Sequence, residues 1–305
     1  MRELCIVPTF QRSALLACCL EHIKAADPEM RVYVFADRNS DESDVCERFG
    51  VTQCKTIKHE FHGNSLNVME ALKFGYLEQA DRVFIVEDDA MVDPTFFSWC
   101  RQALEAHPEV FAACGWQYSP NAVVSEGPDL VIPWYLSVCA CIPRKSLYGI
   151  VQHARPEYYS DMQGYLDRAY PQSHRRRSMH YEQDGLTLRV CESESKRCIW
   201  PRKPRAVHIG FHGYHAGGQA LEGTLDEQIE IIKLALANPS TLKALMNGAP
   251  APNMARCERC NKALLTENKT YRAVCVQCFH AEHPDLPVTS SSHYYLGKLS
   301  IASAP

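Results

Sequence analysis

The sequence predicts an α/β fold in which a mostly parallel sheet is flanked by helices, followed by a small cysteine module. Short apolar segments alternate with helix-like segments in the first part of the chain, an order typical of parallel sheets. Residues 83–86 are all apolar and rich in β-branched and aromatic side chains, as in a strand buried on both faces. Two Cys-x-x-Cys pairs follow a proline-containing stretch at 248–252 and mark a separate module.

The first strand is predicted over residues 4–7 and ends at Pro8. A loop then runs to Arg12, and Ser13 can cap a helix over residues 14–25. This strand–loop–helix order begins the α/β alternation.

Two further strand–helix units are predicted next. A strand over residues 31–35 ends in a polar turn that contains Asp37, and a short strand is expected over 56–60. Gly63 lies in the loop that enters the following helix, which ends near Glu78. Such a loop can present backbone N–H groups to an anion, although helix capping explains the pattern equally well.

Three adjacent acids, Glu87, Asp88 and Asp89, directly follow the apolar strand 83–86. Adjacent carboxylates repel one another, so the group needs a compensating cation, usually a divalent metal. In open α/β sheets, ligands bind beyond the carboxyl ends of the strands, where these acids would lie. The alternative is a solvated acidic loop.

Asp93 and Pro94 predict the next helix start, as its N-cap and first helical residue, with Phe96 and Phe97 facing the core. Seven cysteines lie in apolar segments and are expected to be reduced core residues rather than a disulfide framework. They are Cys5, Cys18, Cys19, Cys100, Cys114, Cys139 and Cys141.

Residues 112–116 predict a further strand, and the polar stretch 121–129 predicts a loop that could act as a lid. Trp134 and Tyr135 either stack on a sugar or base or pack in the core. The least regular part, 155–205, carries several short basic clusters, which either neutralise phosphates or form solvated loops.

The strand, the Glu-Asp-Asp triplet and the following Pro-x-Phe-Phe resemble the metal motif of GT-A glycosyltransferases. The triplet is similar to that of the N-acetylglucosaminyltransferase I family. The resemblance implies transfer of a sugar from a nucleoside diphosphate sugar, usually of UDP. It also implies that Asp89 binds Mn²⁺ or Mg²⁺, while Glu87 and Asp88 contact the sugar and ribose. The residues that the resemblance places at the nucleotide are Pro8, Thr9, Arg12, Asp37, Gly63 and Asn67.

Two later features match the same family. Glu182 and Asp184 resemble the catalytic-base motif of its inverting members, and Gly185 after Asp184 favours Asp184; retention stays open if neither acid faces the acceptor. A late histidine often supplies one more metal ligand in this family, which makes His208 and His212 candidates.

The acceptor is less well defined by the sequence. A net charge of −4 excludes a global attraction to nucleic acid, so any polyanion site must be local. No segment has the length of a membrane-spanning helix and the N-terminus lacks signal-peptide features, so a cytoplasmic protein without a membrane partner is expected. The basic clusters and the cysteine module favour a hydroxymethylated pyrimidine in DNA, as in bacteriophage-type enzymes acting in the host cytoplasm.

Several alternatives remain open at this point. The acceptor could be a protein, a glycan or a lipid. A nucleotidyltransferase usually has a glycine-rich loop after its first strand, which residues 8–12 lack. After a glycosyltransferase and a nucleotidyltransferase, the third possible functional class is a non-catalytic adaptor with a zinc module.

The four C-terminal cysteines, Cys257, Cys260, Cys275 and Cys278, have the spacing of a structural tetrahedral Zn²⁺ site. The predicted organisation is a GT-A domain over 1–247, a linker over 248–256, the four-cysteine zinc module over 257–288 and a tail over 289–305. Helical periodicity from residue 225 to 247 is expected to break at Pro239.

Overall fold

The computed structural model describes residues 1–37, 40–55, 63–116, 128–173, 182–209, 221, 223–238, 253–256, 259, 263–266, 271–275, 281 and 293–298. The chain forms two compact units, Met1–His208 and Ile209–Pro305. Among the described residues, no helix has both the length and the apolar character needed to cross a membrane.

The strands of the first unit are β1 (Glu3–Thr9), β2 (Val32–Ala36), β3 (Thr52–Lys55), β4 (Arg82–Val86), β5 (Ala90–Val92), β6 (Ala112–Cys114), β7 (Leu130–Ile132), β8 (Cys139–Pro143), β9 (Cys198–Trp200) and β10 (Ala206–His208). Its helices are α1 (Ser13–Ala26), α2 (Ser43–Phe49), α3 (Asn64–Leu77), α4 (Phe96–Ala106), α5 (Arg144–Val151), α6 (Pro156–Ser160), α7 (Met162–Ala169) and α8 (Gln183–Ser193).

Eight strands form one sheet in the order β3-β2-β1-β4-β8-β6-β9-β7. The four strands from β3 to β4 are parallel neighbours, β8 is antiparallel to both β4 and β6, and β9 is parallel to β6. The predicted α/β class with a large, mostly parallel sheet is confirmed. The central position of β1 and β4 brings their carboxyl ends together.

Strand β1 runs two residues further than predicted, through Pro8 to Thr9. Cys5 donates its N–H to Arg31 on the β2 side. Because donors alternate along a strand, the N–H that Pro8 lacks would point to the β4 side. The β1–β4 ladder already ends at Ile6, so the proline breaks no ladder hydrogen bond.

Helix α3 packs closely against β4 because residue 75 is a glycine. A Cβ atom at Gly75 would lie 2.6 Å from a methyl group of Val83. The buried face of α3 includes Val68 and Leu72, which join Val83 in the main core. The seven cysteines predicted to be reduced core residues are buried and form no disulfide among the described residues, and Phe96 and Phe97 are also buried.

Two predicted helix caps are wrong. Arg12 occupies the N-cap position of α1, and the Ser13 hydroxyl instead donates to Glu42 at 2.5 Å. Thr95 is the N-cap residue of α4, while Asp93 Oδ1 accepts a hydrogen bond from the Thr95 backbone N–H. In both cases the polar side chain binds a partner outside the first helical turn.

Strand β3 was not predicted, and the strand expected over 56–60 lies outside the described residues, as does most of the loop expected over 121–129. The middle of the chain is more regular than predicted, because α6, α7, α8 and β9 all fall between residues 155 and 205. Their buried residues Tyr158, Leu166 and Leu186 belong to the main core.

The second unit contains α9 (Leu225–Leu236), β11 (Asn253–Arg256), β12 (Ala263–Thr266), β13 (Tyr271–Cys275) and β14 (His293–Lys298). Thr224 and Glu227 form a capping box at the start of α9. Strands β11 and β12 form one antiparallel pair, and β13 and β14 form another. Cys257, Cys260 and Cys278, and the Cys275 side chain, lie outside the described residues, so the zinc site stays a prediction.

Candidate active site

The carboxyl ends of β1 and β4 form the candidate site. The parallel β1–β4 register places the loop that follows Thr9 beside the acid triplet that follows Val86. A turn holds the triplet in place: the Glu87 N–H donates to the Val138 carbonyl, and the Ala90 N–H donates to the Glu87 carbonyl. The acids therefore lie at the end of a central strand, as the sequence predicts.

Arg12 connects the two strand ends. Its Nε donates to Asp88 Oδ2 at 3.0 Å, one terminal nitrogen binds Asp88 Oδ1, and the other donates to Asp89 Oδ2 at 2.8 Å. The Thr9 hydroxyl also donates to Asp88 Oδ2, at 2.6 Å. Burial acts to lower the pKa of Arg12, but Asp88 and Asp89 outweigh burial and raise it. Arg12 is therefore a permanent positive charge within the triplet.

A short ribbon brings His208 to the same place. Strands β5 and β10 are antiparallel, and their register pairs His208 with Ala90, the residue after Asp89. As a result, His208 Nε2 lies 3.2 Å from Asp89 Oδ1. The ring of Trp116 packs edge-on against the imidazole, with centroids 5.2 Å apart.

The atoms of Glu87, Asp89 and His208 are suitably placed to hold a metal ion. One ligand atom from each lies within 4.8 Å of the others, the one such group among the described residues. Within the described part of the chain, Asp89 Oδ1 is buried and accepts no well-aligned hydrogen bond, so its lone pairs are available to a cation. Two carboxylates and an imidazole form an acceptable ligand set for Mn²⁺. The residues present therefore fit a divalent cation.

The pKa values show how strongly these groups interact. Burial, followed by the charges of Asp89 and Asp184, raises the pKa of Glu87 to about 7. Burial alone would raise the pKa of Asp89, but His208 and Arg12 lower it below its ordinary value. Burial alone would lower the pKa of His208, but Asp89 and Glu87 raise it. A cation at this position would relieve the repulsion that Glu87 experiences.

The two candidate bases lie at the start of α8 but face different surroundings. Glu182 is the exposed N-cap residue, whereas Asp184 is partly buried. The charge of Asp184 contributes to the raised pKa of Glu87, which places Asp184 near the metal-binding group. Gln183 between them points inward and accepts a hydrogen bond from Ser65 at 3.0 Å. The role of either acid as the catalytic base stays a prediction, and the electrostatic interaction of Asp184 with Glu87 is the observation that links Asp184 to this group.

The residues predicted to contact the nucleotide occupy one side of the site. Asp37 follows β2, is buried, and accepts a hydrogen bond from the Gly63 N–H at 3.3 Å. The Asn67 side-chain amide donates to the carbonyls of Phe35 at 2.8 Å and Thr9 at 3.4 Å, so it ties β1 to β2. Nucleotide binding by these residues stays a prediction, and Asn67 has a structural role in addition.

The structure separates the two aromatic candidates. Tyr135 is 1% exposed and belongs to the core, whereas Trp134 is 40% exposed. His212 and the basic cluster 174–177 lie outside the described residues. Lys203 is exposed and lies five positions before His208, next to the β5–β10 ribbon.

Sequence reasoning missed Ser137 and Trp116 as members of the site. The Ser137 hydroxyl donates to Glu87 Oε1 at 2.9 Å and fixes that carboxylate. Ser137 lies in the turn before β8, next to β4 in the sheet. The polar interruption of the apolar run 131–142 was the available signal, whereas nothing local marked Trp116.

Three solved structures illustrate the similarity of this chain to known proteins. Residues 1–349 of S. aureus TarS are 14% identical, with 68% of this chain and 60% of that chain covered and a TM-score of 0.44. Mannose-1-phosphate geranyltransferase from Thermus thermophilus is 13% identical, with 69% and 77% covered and a TM-score of 0.43. The galactosyltransferase LgtC, solved with donor and acceptor sugar analogues, is 12% identical, with 65% and 72% covered and a TM-score of 0.38.

The chain spans 60% of the TarS 1–349 chain and 36% of a longer TarS chain. No curated protein matches this sequence. A family model described as "Glycosyltransferase like family 2" matches residues 4–164, just over half of the chain. This match covers β1, the acid triplet and the strands between them, and it confirms the GT-A assignment of the fold. The chain therefore belongs to the family of glycosyltransferase-like family 2 proteins.

Proposed function

We propose that this protein is a metal-dependent glycosyltransferase that moves a sugar from a nucleoside diphosphate sugar, with UDP as the nucleotide, to a hydroxyl group. The observation that carries the proposal is the group formed by Glu87, Asp89 and His208 at the carboxyl end of β4. Its buried Asp89 oxygen has lone pairs available for a cation, and it lies in a domain of the matching family.

These three side chains would hold Mn²⁺ or Mg²⁺, which would offset the negative charge on the departing diphosphate. Ser137 orients Glu87 through its hydrogen bond to Oε1. Asp37 and the Gly63 N–H lie on the β2 side, where the ribose and base of the donor would bind. Thr9 and Arg12 bind the acid triplet, with Thr9 donating to Asp88 and Arg12 to Asp89.

Asp184 would accept the proton of the attacking hydroxyl. The hydroxyl oxygen then forms the new bond to the anomeric carbon as the bond from that carbon to the diphosphate oxygen breaks. A single displacement of this kind inverts the anomeric centre. The electrostatic interaction of Asp184 with Glu87 supports this role, and Glu182 is the more exposed of the two acids.

The acceptor that we favour is a hydroxymethylated pyrimidine in DNA. Lys203 and the neighbouring Arg202 precede the ribbon that carries His208, and the charge of Lys203 acts on Asp93, which follows β5 at the end of the ribbon opposite His208. Short basic segments of this kind neutralise phosphates in an otherwise acidic chain. A base within a duplex would first be flipped out. The predicted four-cysteine zinc module is a second candidate contact for the nucleic acid.

The proposal is tested by incubating the protein with Mn²⁺ and a panel of nucleotide sugars. Unmodified and hydroxymethylated DNA serve as acceptors, and products are read by mass spectrometry. We expect one sugar to be transferred to hydroxymethylated DNA, and Asp89→Asn to reduce the rate by roughly a thousandfold because it removes a charged metal ligand. Transfer to a glycan or peptide but to no DNA would contradict the acceptor. Donor turnover that Asp89→Asn leaves unchanged would contradict the metal site.

The choice of base is tested by a matched pair of substitutions. Asp184→Asn should lower kcat by about 10² to 10⁴-fold because it removes the general base. Glu182→Gln, two residues away on the exposed side of the helix start, should change kcat by less than about threefold. The opposite result would assign the proton transfer to Glu182.

A further inference from the structure

Arg12 divides the acid triplet into two parts with different roles. Its guanidinium binds both oxygens of Asp88 but only one oxygen of Asp89, Oδ2 at 2.8 Å. The second oxygen of Asp89, Oδ1, instead faces His208 at 3.2 Å. The fork of an arginine side chain fixes the plane of the carboxylates that it binds.

Asp88 is turned away from any ligand. Its side chain is 0% exposed, and its Oδ2 accepts hydrogen bonds from both Thr9 and Arg12. Its Oδ1 is bound by a terminal nitrogen of Arg12. Both oxygens of Asp88 are thus directed at the protein, and the side chain serves to hold Arg12 rather than to contact a sugar.

We propose that Arg12 is a positioning residue for the metal ligand Asp89, held in place from behind by Asp88 and Thr9. By occupying Oδ2, Arg12 leaves Oδ1 directed at the side chains of His208 and Glu87. It therefore fixes the carboxylate in the orientation that receives the cation. This inference rests on the proposed metal site, and it assigns Arg12 a role distinct from contact with the donor phosphates.

The test measures Mn²⁺ binding by calorimetry in the absence of any nucleotide. Arg12→Lys keeps the positive charge but loses the planar fork, so the two carboxylates are no longer fixed together. We expect Mn²⁺ affinity to fall by about 10 to 100-fold, the range found when partners that orient metal ligands are removed. Arg12→Gln is a poorer variant, because it also removes a charge that repels the metal.

A second variant and a control make the test selective. Thr9→Val removes the hydroxyl that anchors Asp88 with little change in shape, and it should weaken Mn²⁺ binding in the same direction by a smaller factor. Arg101→Lys changes another arginine that binds two acids, Glu3 at 2.8 Å and Asp27 at 2.7 Å, outside the site. Its Mn²⁺ affinity should equal that of the unchanged protein.

The outcomes separate this inference from the proposed function. If Asp89→Asn leaves Mn²⁺ binding intact, the metal site itself is wrong. If Asp89→Asn abolishes binding but Arg12→Lys and Thr9→Val bind Mn²⁺ normally, Arg12 is not a positioning residue. An increased donor KM with unchanged Mn²⁺ affinity in Arg12→Lys would assign Arg12 to the donor phosphates instead. Thermal melts show that each variant is folded, and if Arg12→Lys does not fold, Thr9→Val alone decides the question.

Discussion

His208 and His153 are both largely enclosed by the first unit, but their partners differ. His208 lies 3.2 Å from the Asp89 carboxylate and has a raised pKa, because Asp89 and Glu87 outweigh the effect of burial. His153 follows α5 and lies between two tyrosine hydroxyls, Tyr165 at 2.7 Å from Nδ1 and Tyr170 at 2.7 Å from Nε2. Burial, with a smaller contribution from Arg155, lowers its pKa to about 4.

The two histidines differ in their partners more than in their burial, and it is the partners that make His208, but not His153, a candidate metal ligand. His153 uses both ring nitrogens to bridge neutral hydroxyl groups, so neither nitrogen is available to a metal. His208 directs Nε2 at a carboxylate in a cluster with excess negative charge. The first arrangement joins two tyrosines within the fold, and the second places an imidazole among carboxylates that repel one another, as the proposed metal site requires.

The largest expected effect that separates the two histidines is on metal binding. His208→Ala should lower Mn²⁺ affinity and transferase activity by roughly a hundredfold or more, because it removes one of three ligands. His153→Phe should change Mn²⁺ affinity by less than about twofold, since it lies outside the cluster. Calorimetry gives the Mn²⁺ affinity of the two variants, and initial rates give their transferase activity. Equal losses of affinity in both variants would show that His208 is no more important for the metal than His153.

A smaller effect is expected from pH on metal binding. Glu87 has a pKa of about 7 and takes up a proton as the pH falls through that value, while the raised pKa of His208 keeps its imidazole protonated to a higher pH than in an unperturbed histidine. A metal ion must displace those protons. Mn²⁺ affinity should therefore fall by about tenfold per pH unit for each proton that the metal displaces. The measurement is a calorimetric titration at several pH values, and a flat profile would show that neither proton competes with the metal.

A third effect, on the stability of the fold rather than on metal binding, concerns His153. Its pKa is lowered from 6.5 to about 4 in the folded protein, so the unfolded chain takes up the proton first as the pH falls. This contribution to stability is complete above the unfolded pKa and declines below it, by about 3 kcal/mol as the pH reaches the folded value. When the free energy of unfolding is measured in urea at several pH values, His153→Phe should lack the decrease due to His153. It should keep the decrease that comes from protonation of acidic side chains. If the free energies of unfolding of the two proteins change with pH in parallel, this prediction is wrong.

The sequence was sufficient for the features that depend on local pattern. Apolar runs identified β1, β2, β4 and β6, four of the eight strands of the sheet, and the acids after Val86 marked the strand end that carries the candidate site. Burial of Phe96 and Phe97 followed from the helical spacing of α4. These features are visible because hydrophobic periodicity is a property of neighbouring residues.

The sequence was insufficient for contacts between distant segments. Arg12 and Asp88 are 76 positions apart, and the pairing of His208 with Ala90 rests on strands of three residues that carry little periodic signal. The sequence also could not show which of the neighbouring residues Trp134 and Tyr135 is buried. Adjacent residues in an extended segment face opposite ways, but their order does not tell which one faces the core.

The proposed metal site depends on the exact lengths of the two strands in the β5–β10 ribbon. Each of its strands has three residues, and the pairing of Ala90 with His208 alone aligns the imidazole with the acids. Because side chains alternate along a strand, a single-residue insertion or deletion within Ala90–Val92 or Ala206–His208 would turn the imidazole to the opposite face. Fusion tags, linkers and circularly permuted termini are therefore best engineered outside these two short segments.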